Sequence, residues 1–500
     1  MSDVSRRDFI KTAGLGAGVA IAAGYSPFSY AQNEKVRIGL VGTGGQGTFH
    51  IRDGIAGTPD LDIVAVCDVF EPNQRWAARY GQLANAGITM PAGEQPGRDQ
   101  VQQASEYRMP STYYDYREML AEEELDAVVI STPLNSHYPI TMDCLDAGKW
   151  VFCEKTLVGN VEDGRSMVTK CHETGKFVQV GHQRRYNPKY NLAMKLAFEE
   201  EQIGRINHIT AQWHRNHFWR RQIPVDYELN EQEQQFIDDL ERHLNWRMYQ
   251  DLSGGLYTEL ATHQTDIANW FLKAVPARVH TFGGIDYWRD GRTVDDNIVL
   301  SFEYDMDPRD DGFMPIDARS ILQDMRQINQ SYTTRFVYTS ILANANRGAS
   351  ELLQGDYGTF RLSEQDCWLY GEPGAIASVP ADELEEEEVS ADDYASDTLS
   401  GATLQVSTEE LLKGRELLAD TPMETADVYQ FRAFADHIKN GGVPLNNQMV
   451  GFTTSLTSIA AIQSREEGRT VEIDPAWYSF DFEVPSFHDY DYEYEEDWEA

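Results

Sequence analysis

The chain has 500 residues, 81 of them Asp or Glu against 42 Lys or Arg, for a formal charge of −39. Phosphate neutralisation needs clustered Lys and Arg, so this balance excludes nucleic acid as a partner and disfavours anionic membranes. The length suits two domains, and so one-sided a charge is self-repelling unless salt screens it, which points to a salt-adapted source.

The N-terminus reads first as an address. Ser5-Arg6-Arg7-Asp8-Phe9-Ile10-Lys11 precedes a short apolar run from Thr12 to Gly24, and Ser29-Tyr30-Ala31 has the small-x-small pattern of a cleavage site. A membrane-spanning helix needs about 20 apolar residues, more than this glycine-rich run supplies. Residues 1–31 are therefore predicted to be a twin-arginine signal, which exports proteins already folded, here to the periplasm. No cysteine lies near the cleavage site, so no lipid anchor is expected.

Five apolar, β-rich runs follow: Val36 to Val41, Leu61 to Cys67, Leu125 to Ser131, Trp150 to Cys153 and Phe177 to Val180. Helix-like stretches separate them, such as Gln74 to Leu83 and Tyr138 to Ala147. Strands alternating with helices predict a doubly wound parallel sheet, placed at residues 35–181. Beyond Gly181 the apolar–polar alternation has period two in Ile206 to Trp213, Ala277 to Phe282, Asn297 to Tyr304, Gly358 to Leu362 and Asp366 to Tyr370. This predicts a second α/β domain at 182–480 with a more open sheet, carrying helices near Thr258–Leu272 and Asp427–Asn440. Pro91 to Pro110 and Asp305 to Ser331 read as polar insertions. Asp382 to Asp397 and the tail 481–500 read as acidic surface or disorder, the tail's aromatics leaving a subunit contact open. The five cysteines (67, 144, 153, 171 and 367) are an odd set without Cys-x-x-Cys spacing, and most sit in apolar runs as small hydrophobes. No metal-ligand spacing appears, around His214 and His217 or elsewhere.

The chemistry begins at Gly42-Thr43-Gly44-Gly45-Gln46-Gly47. A G-x-G-x-x-G that follows a strand, opens a helix and is answered by an acid ending the next strand is a dinucleotide fingerprint. Gly42 makes the tight turn, Gly44 admits the pyrophosphate and Gly47 allows close helix–strand packing. Gly45 and Gln46 belong to the same cradle. Asp68 stands where a carboxylate takes the ribose hydroxyls and repels a 2′-phosphate, so NAD is expected over NADP.

Further motifs carry a resemblance. Val36 to Gly47, Ser131-Thr132-Pro133-Leu134-Asn135-Ser136-His137, Ala147 to Lys155, Gly181-His182-Gln183-Arg184-Arg185-Tyr186-Asn187-Pro188 and Ser253 to His263 together resemble the glucose–fructose oxidoreductase/inositol dehydrogenase (Gfo/Idh/MocA) family. The resemblance covers nearly all of the chain after the signal, apart from the insertions and tail. It implies a Rossmann domain followed by an α/β domain with a large, mostly antiparallel sheet, and often a homo-oligomer formed through that sheet. It places Thr132, Pro133, Asn135, His137, Glu154, Lys155 and Gln183 at the cofactor.

The resemblance also implies catalytic roles. Lys155 follows Glu154 as in the family, although Thr156 stands where proline is usual. An ammonium beside a reacting oxygen stabilises developing alkoxide charge. The family's second element is an Asp four residues before a His; here it is Glu259 and His263, one methylene longer. On a helix Glu259, His263 and Asp266 would share one stripe, with His263 as the acid/base and Glu259 orienting it or binding substrate. Trp213 to Arg221 and Asn245-Trp246-Arg247 offer aromatic walls and donors for a sugar, or else an interdomain or subunit contact. Arg184 and Arg185 face the cofactor or pin carboxylates across the boundary.

The function expected is hydride transfer between tightly bound NAD and a secondary hydroxyl of a sugar, cyclitol or sugar acid. Outside the cytoplasmic membrane there is no pool of free NAD, so the cofactor would be loaded inside and carried out. The alternative is an NAD-dependent glycosidase working by transient oxidation and elimination; a non-catalytic binding protein ranks third.

Overall fold

The computed structural model describes residues 34–91, 94–306, 331–371, 414–419 and 421–489. The signal at 1–31, the acidic run 382–397, most of the insertion at 305–331 and the tail beyond 489 lie outside the described residues.

The first sheet has six parallel strands: β1 (Val36–Val41), β2 (Leu61–Cys67), β3 (Ser111–Tyr113), β4 (Ala127–Ile130), β5 (Trp150–Cys153) and β6 (Val178–Val180). Their order, β3-β2-β1-β4-β5-β6, is that of a doubly wound dinucleotide-binding fold. Val, Ile and Leu fill the central strands because helices cover both faces. The stretch read as a polar insertion is shorter than expected: it contains the helix Arg98–Ala104 and leads directly into the edge strand β3.

The second sheet has nine strands: β7 (Ile206–His214), β8 (Arg278–Gly284), β9 (Asn297–Met306), β10 (Tyr332–Ile341), β11 (Ala349–Gly355), β12 (Gly358–Leu362), β13 (Cys367–Gly371), β14 (Arg415–Glu416) and β15 (Val471–Glu472). The order is β14-β13-β12-β11-β7-β10-β9-β8-β15, antiparallel throughout except for the parallel β7–β10 pair. Alternate residues of β9 are buried, as in a sheet with one face on a core. That core includes Trp270, Phe271, Phe302, Phe336 and Leu353.

Two helices near the C-terminus correct the expected boundary. Ala426–Asn440 places Phe431, Phe434 and Ile438 against Ile38, Leu40 and Phe152 on one face of the parallel sheet. Gln448–Glu467 places Met449, Phe452 and Leu456 against Val128, Val151 and Val180 on the other. Each removes several large apolar side chains from water, so the first domain is completed by residues from the far end of the chain. Residues 481–489 also pack rather than trail: Phe482, Val484 and Phe487 lie on the same core, and Phe487 O accepts from Arg185 at 2.8 Å. All five cysteines are buried free thiols.

Candidate active site at the domain junction

The glycine loop has the geometry a dinucleotide requires. Gly42 sits at φ +83°, a conformation costly for any residue with a Cβ. A Cβ on Gly47 would fall 2.2 Å from Gly42 O, so the helix can approach the strand only without a side chain there. A Cβ on Gly44, by contrast, would meet nothing nearer than Asn73 Nδ2 at 3.7 Å, leaving the loop open on that side. At the neighbouring strand end, Ser131 Oγ and Thr132 Oγ1 are buried with no partner among the described residues. An open glycine turn flanked by orphaned hydroxyls fits a bound NAD.

Asp68 does more than wait for ribose. Its Oδ2 accepts from Thr43 N at 2.7 Å, Thr43 Oγ1 at 3.3 Å and Asn73 Nδ2 at 3.2 Å, and its Oδ1 from Phe70 N at 2.9 Å. The carboxylate therefore ties the glycine loop to the end of β2. Burial pushes its pKa up, against the opposing pull of the Phe70 and Thr43 N–H groups. Thr43 and Asn73 were absent from the residues read at the site, because hydroxyl and amide donors carry no recognisable spacing.

At the end of β5 lies a buried charge cluster. Glu154 Oε1 is 2.6 Å from His50 Nε2, and Asp427 Oδ1 lies 3.3 Å from His50 Nδ1. Burial alone would depress the His50 pKa; hydrogen bonds and charges from Asp427 and Glu154 outweigh it and raise it to about 9. Burial likewise opposes the Glu154 carboxylate, but His50 and Lys155 hold its pKa below the usual range. Gln46 Nε2 reaches the same Glu154 oxygen at 3.4 Å, and Glu154 Oε2 accepts the Lys155 backbone N–H at 3.1 Å. Glu154 thereby fixes the start of the lysine loop.

The loop then crosses to the second domain. Lys155 Nζ donates to Glu259 O at 3.0 Å, and Thr156 Oγ1 donates to Thr258 O at 3.0 Å. The Lys155–Thr156 peptide is cis. The His137 ring lies between Thr132 O and Thr156 O, 2.8 Å from each, so it braces two loops with no ring nitrogen left for cofactor. Asn135 N reaches Leu252 O at 3.4 Å, and Gln183 Nε2 reaches Glu364 at 3.4 Å. Pro133 precedes the helix Leu134–Asp146 and carries it away from the strand end.

His263 sits beyond Lys155, but without the expected carboxylate. Residues Tyr257–Ala261 form a π-turn before the α-helix Thr262–Leu272, which breaks the i, i+4 alignment. The Glu259 carboxylate instead accepts from Arg247 Nε at 2.8 Å, and Asp266 pairs with Arg185 at 2.8 Å. Aromatic rings position His263: Trp213 at 5.3 Å and His182 at 6.1 Å, nearly perpendicular. The residue is 6 % exposed, and its Nδ1 has no partner among the described residues. Burial, then the charges of Lys155, Arg184, His182 and Arg215, drive its pKa well below 6.5. His182, wholly buried, is held at about 4 chiefly by burial. A neutral His263 beside the Lys155 cation is a base facing an electrophilic charge.

The open readings of the flanking motifs divide. Arg184 pairs with buried Glu351 and with Glu364, so both arginines pin carboxylates in the second domain. Arg215 lies 4.7 Å from the Trp213 ring centre, next to His263. His214 bonds Asn346 O and Thr339 Oγ1, and Arg220 pairs with Glu241, both structural contacts. Among the described residues no cluster of three or more His, Cys, Asp or Glu is arranged to hold a metal.

A profile described as an oxidoreductase family with an NAD-binding Rossmann fold matches residues 36–182, and the Gfo/Idh/MocA C-terminal domain matches 191–308. The chain belongs to the Gfo/Idh/MocA family. Its first domain is the part matched by that family's NAD-binding Rossmann model. It is 29% identical over 185 residues to an inositol 2-dehydrogenase of Rubrobacter xylanophilus, covering 37% of this chain and 45% of the relative. It is 26% identical over 251 residues to the NAD-dependent scyllo-inositol 2-dehydrogenase of Bacillus subtilis, covering 50% and 58%. The aligned regions thus span about half of each relative. A levoglucosan dehydrogenase in complex with NADH shares the fold with a TM-score of 0.58 at 16% identity, over 88% of this chain and 100% of that one. The WlbA dehydrogenase from Chromobacterium violaceum, complexed with NADH and UDP-GlcNAcA, does so with a TM-score of 0.57 at 16% identity, over 90% and 99%. Thr156 replaces the proline usual in the Gfo/Idh/MocA lysine motif, and its hydroxyl makes the bond to Thr258 that a proline cannot.

Proposed function

We propose that the chain is an exported oxidoreductase that moves hydride between resident NAD and a secondary hydroxyl of a sugar, cyclitol or sugar acid. The observation that carries this reading is the convergence of Lys155 and His263 where the two domains meet. The polyol and sugar dehydrogenases among its relatives support the substrate class, and the leader Ser5 to Lys11 supports export.

Bound at the glycine loop, NAD supplies the hydride acceptor or donor. The protein supplies the rest. His263, neutral at physiological pH, takes the hydroxyl proton; Lys155 lies where its ammonium stabilises the developing alkoxide. Glu154, held by His50, fixes the lysine loop; the Glu259 carboxylate holds Arg247. Trp213 presents an aromatic face beside His263, as sugar rings prefer.

The test is to add single polyols, sugars and sugar acids to the purified holoprotein and follow the redox state of the bound nucleotide. Reduction by one member, reversed by a keto-sugar, is expected. Release of an aglycone from glycosides with no second sugar and no lasting nucleotide reduction would favour a hydrolytic outcome instead.

A further inference from the structure

After β7 the chain leaves its sheet and crosses the nucleotide end of the first domain. Buried Glu233 accepts the Glu71 backbone N–H at 2.9 Å, Asn230 Nδ2 donates to Glu71 Oε2 at 3.0 Å, and the Tyr227 ring lies 5.0 Å from Phe70. Phe70 and Glu71 directly follow the Asp68 turn, so this strap is moored beside the nucleotide site.

The crossing delivers Arg221 to the glycine loop. A Cβ on Gly45 would lie 2.8 Å from an Arg221 terminal nitrogen. The Arg221 backbone is anchored by Asn245, only 2% exposed: Arg221 N donates to Asn245 Oδ1 at 2.6 Å and Asn245 Nδ2 donates to Arg221 O at 3.3 Å. Arg221 is an exposed residue as a whole, but its guanidinium is partly buried and makes no ion pair among the described residues. With 81 acidic against 42 basic residues, a lack of carboxylates does not explain that. Burial and the Arg247 charge both disfavour its cation.

We infer that Arg221 is a pyrophosphate-binding residue, and that the strap from Trp219 to Asn245 uses it to retain NAD in the first domain. The glycine loop offers only backbone N–H groups to a dianionic pyrophosphate; a guanidinium adds the charge and a forked pair of donors. A nucleotide so held leaves only when the strap lifts, which suits a cofactor that is not replaced after export. The inference rests on the NAD-binding assignment and is independent of the substrate.

The test compares holoprotein with Arg221→Met and Arg221→Lys, measuring NAD release by exchange against isotopically labelled NAD, with mass spectrometric readout. Loss of one charged phosphate contact should speed release by about tenfold to a hundredfold in Arg221→Met, with partial recovery in Arg221→Lys. Binding of adenosine, which lacks the pyrophosphate, should stay unchanged. Release from Arg221→Met at the wild-type rate would overturn the inference. So would an equal weakening for NAD and adenosine, which marks a loosened strap rather than a phosphate contact. If Arg221→Met does not fold, Arg221→Lys carries the same comparison, and wild-type release from it overturns the bidentate contact.

Discussion

Lys155 and Glu259 meet through the backbone: the lysine ammonium donates to the Glu259 carbonyl, while the Glu259 carboxylate turns away to Arg247. The two elements that the family motif names are therefore joined across the domain junction without spending the carboxylate on the histidine. One residue thus holds the Lys155 ammonium through its carbonyl and the Arg247 guanidinium through its carboxylate.

Replacing Lys155 with Met should lower kcat by about a hundredfold to a thousandfold, because one preorganised cation at the alkoxide is lost. Nucleotide content should stay near wild type, since Lys155 is not in the glycine loop. Single-turnover reduction of bound NAD measures the first quantity and denaturation with nucleotide assay the second. Loss of both together would move Lys155 to a cofactor-retaining role.

The pH profile tests His263. Its folded pKa lies well below 6.5, so it is already a neutral base at pH 6.5 and is protonated only in more acid solution. Oxidation of the hydroxyl should therefore hold its rate as pH falls through 6.5, and His263→Asn should cost about a hundredfold or more at every pH. An acid limb centred at or above pH 6.5 that disappears in His263→Asn would contradict the assignment of a depressed base.

Glu259→Gln separates two roles. Because the carboxylate holds Arg247 and not His263, the substitution should raise KM by about tenfold through a loosened Arg247, leaving the pH profile of kcat in place. A shifted kcat profile would show that Glu259 tunes His263 during turnover.

The His50 cluster gives a stability signature. A folded pKa of about 9 against an ordinary 6.5 means that this stabilisation is complete below pH 6.5 and is lost as pH rises through about 9. Glu154, with its folded pKa lowered, works oppositely: its contribution is present above its ordinary 4.5 and is lost as pH falls. His50→Gln should lower unfolding free energy at neutral pH by about 3 kcal/mol, since Glu154 and Asp427 are left buried and unpaired. The alkaline loss of stability should shrink with it. Urea titrations at pH 7 and pH 9.5 on both proteins measure the two effects; an unchanged alkaline decline would assign it elsewhere.

Much of the fold was legible because packing and pattern agree. β1, β2 and β5 begin and end where their apolar runs do, and the glycine turn at Gly42 follows from the strand before it. The helix Gln448–Glu467 was not legible: Gly, Ser, Thr and Ala face neighbours on nearly every side, so no polar stripe marks its period. β10 was hidden behind the insertion that precedes it, and its own Thr and Arg are those of a half-exposed sheet. At the site, Lys155 and His263 are signalled by motifs. The partnership of His50 with Asp427 is not, because 377 positions separate the two and only the tertiary fold brings the helix Ala426–Asn440 onto the first domain. The carboxylate expected beside His263 failed for a local reason, the π-turn at Tyr257–Ala261.

The most direct measurement is to purify the protein, denature it and quantify NAD and NADH per chain. A resident-cofactor oxidoreductase gives close to one nucleotide per chain, reducible by a polyol before denaturation. A protein that emerges empty and does not bind added NAD would contradict both the resident cofactor and the hydride chemistry built on Lys155 and His263.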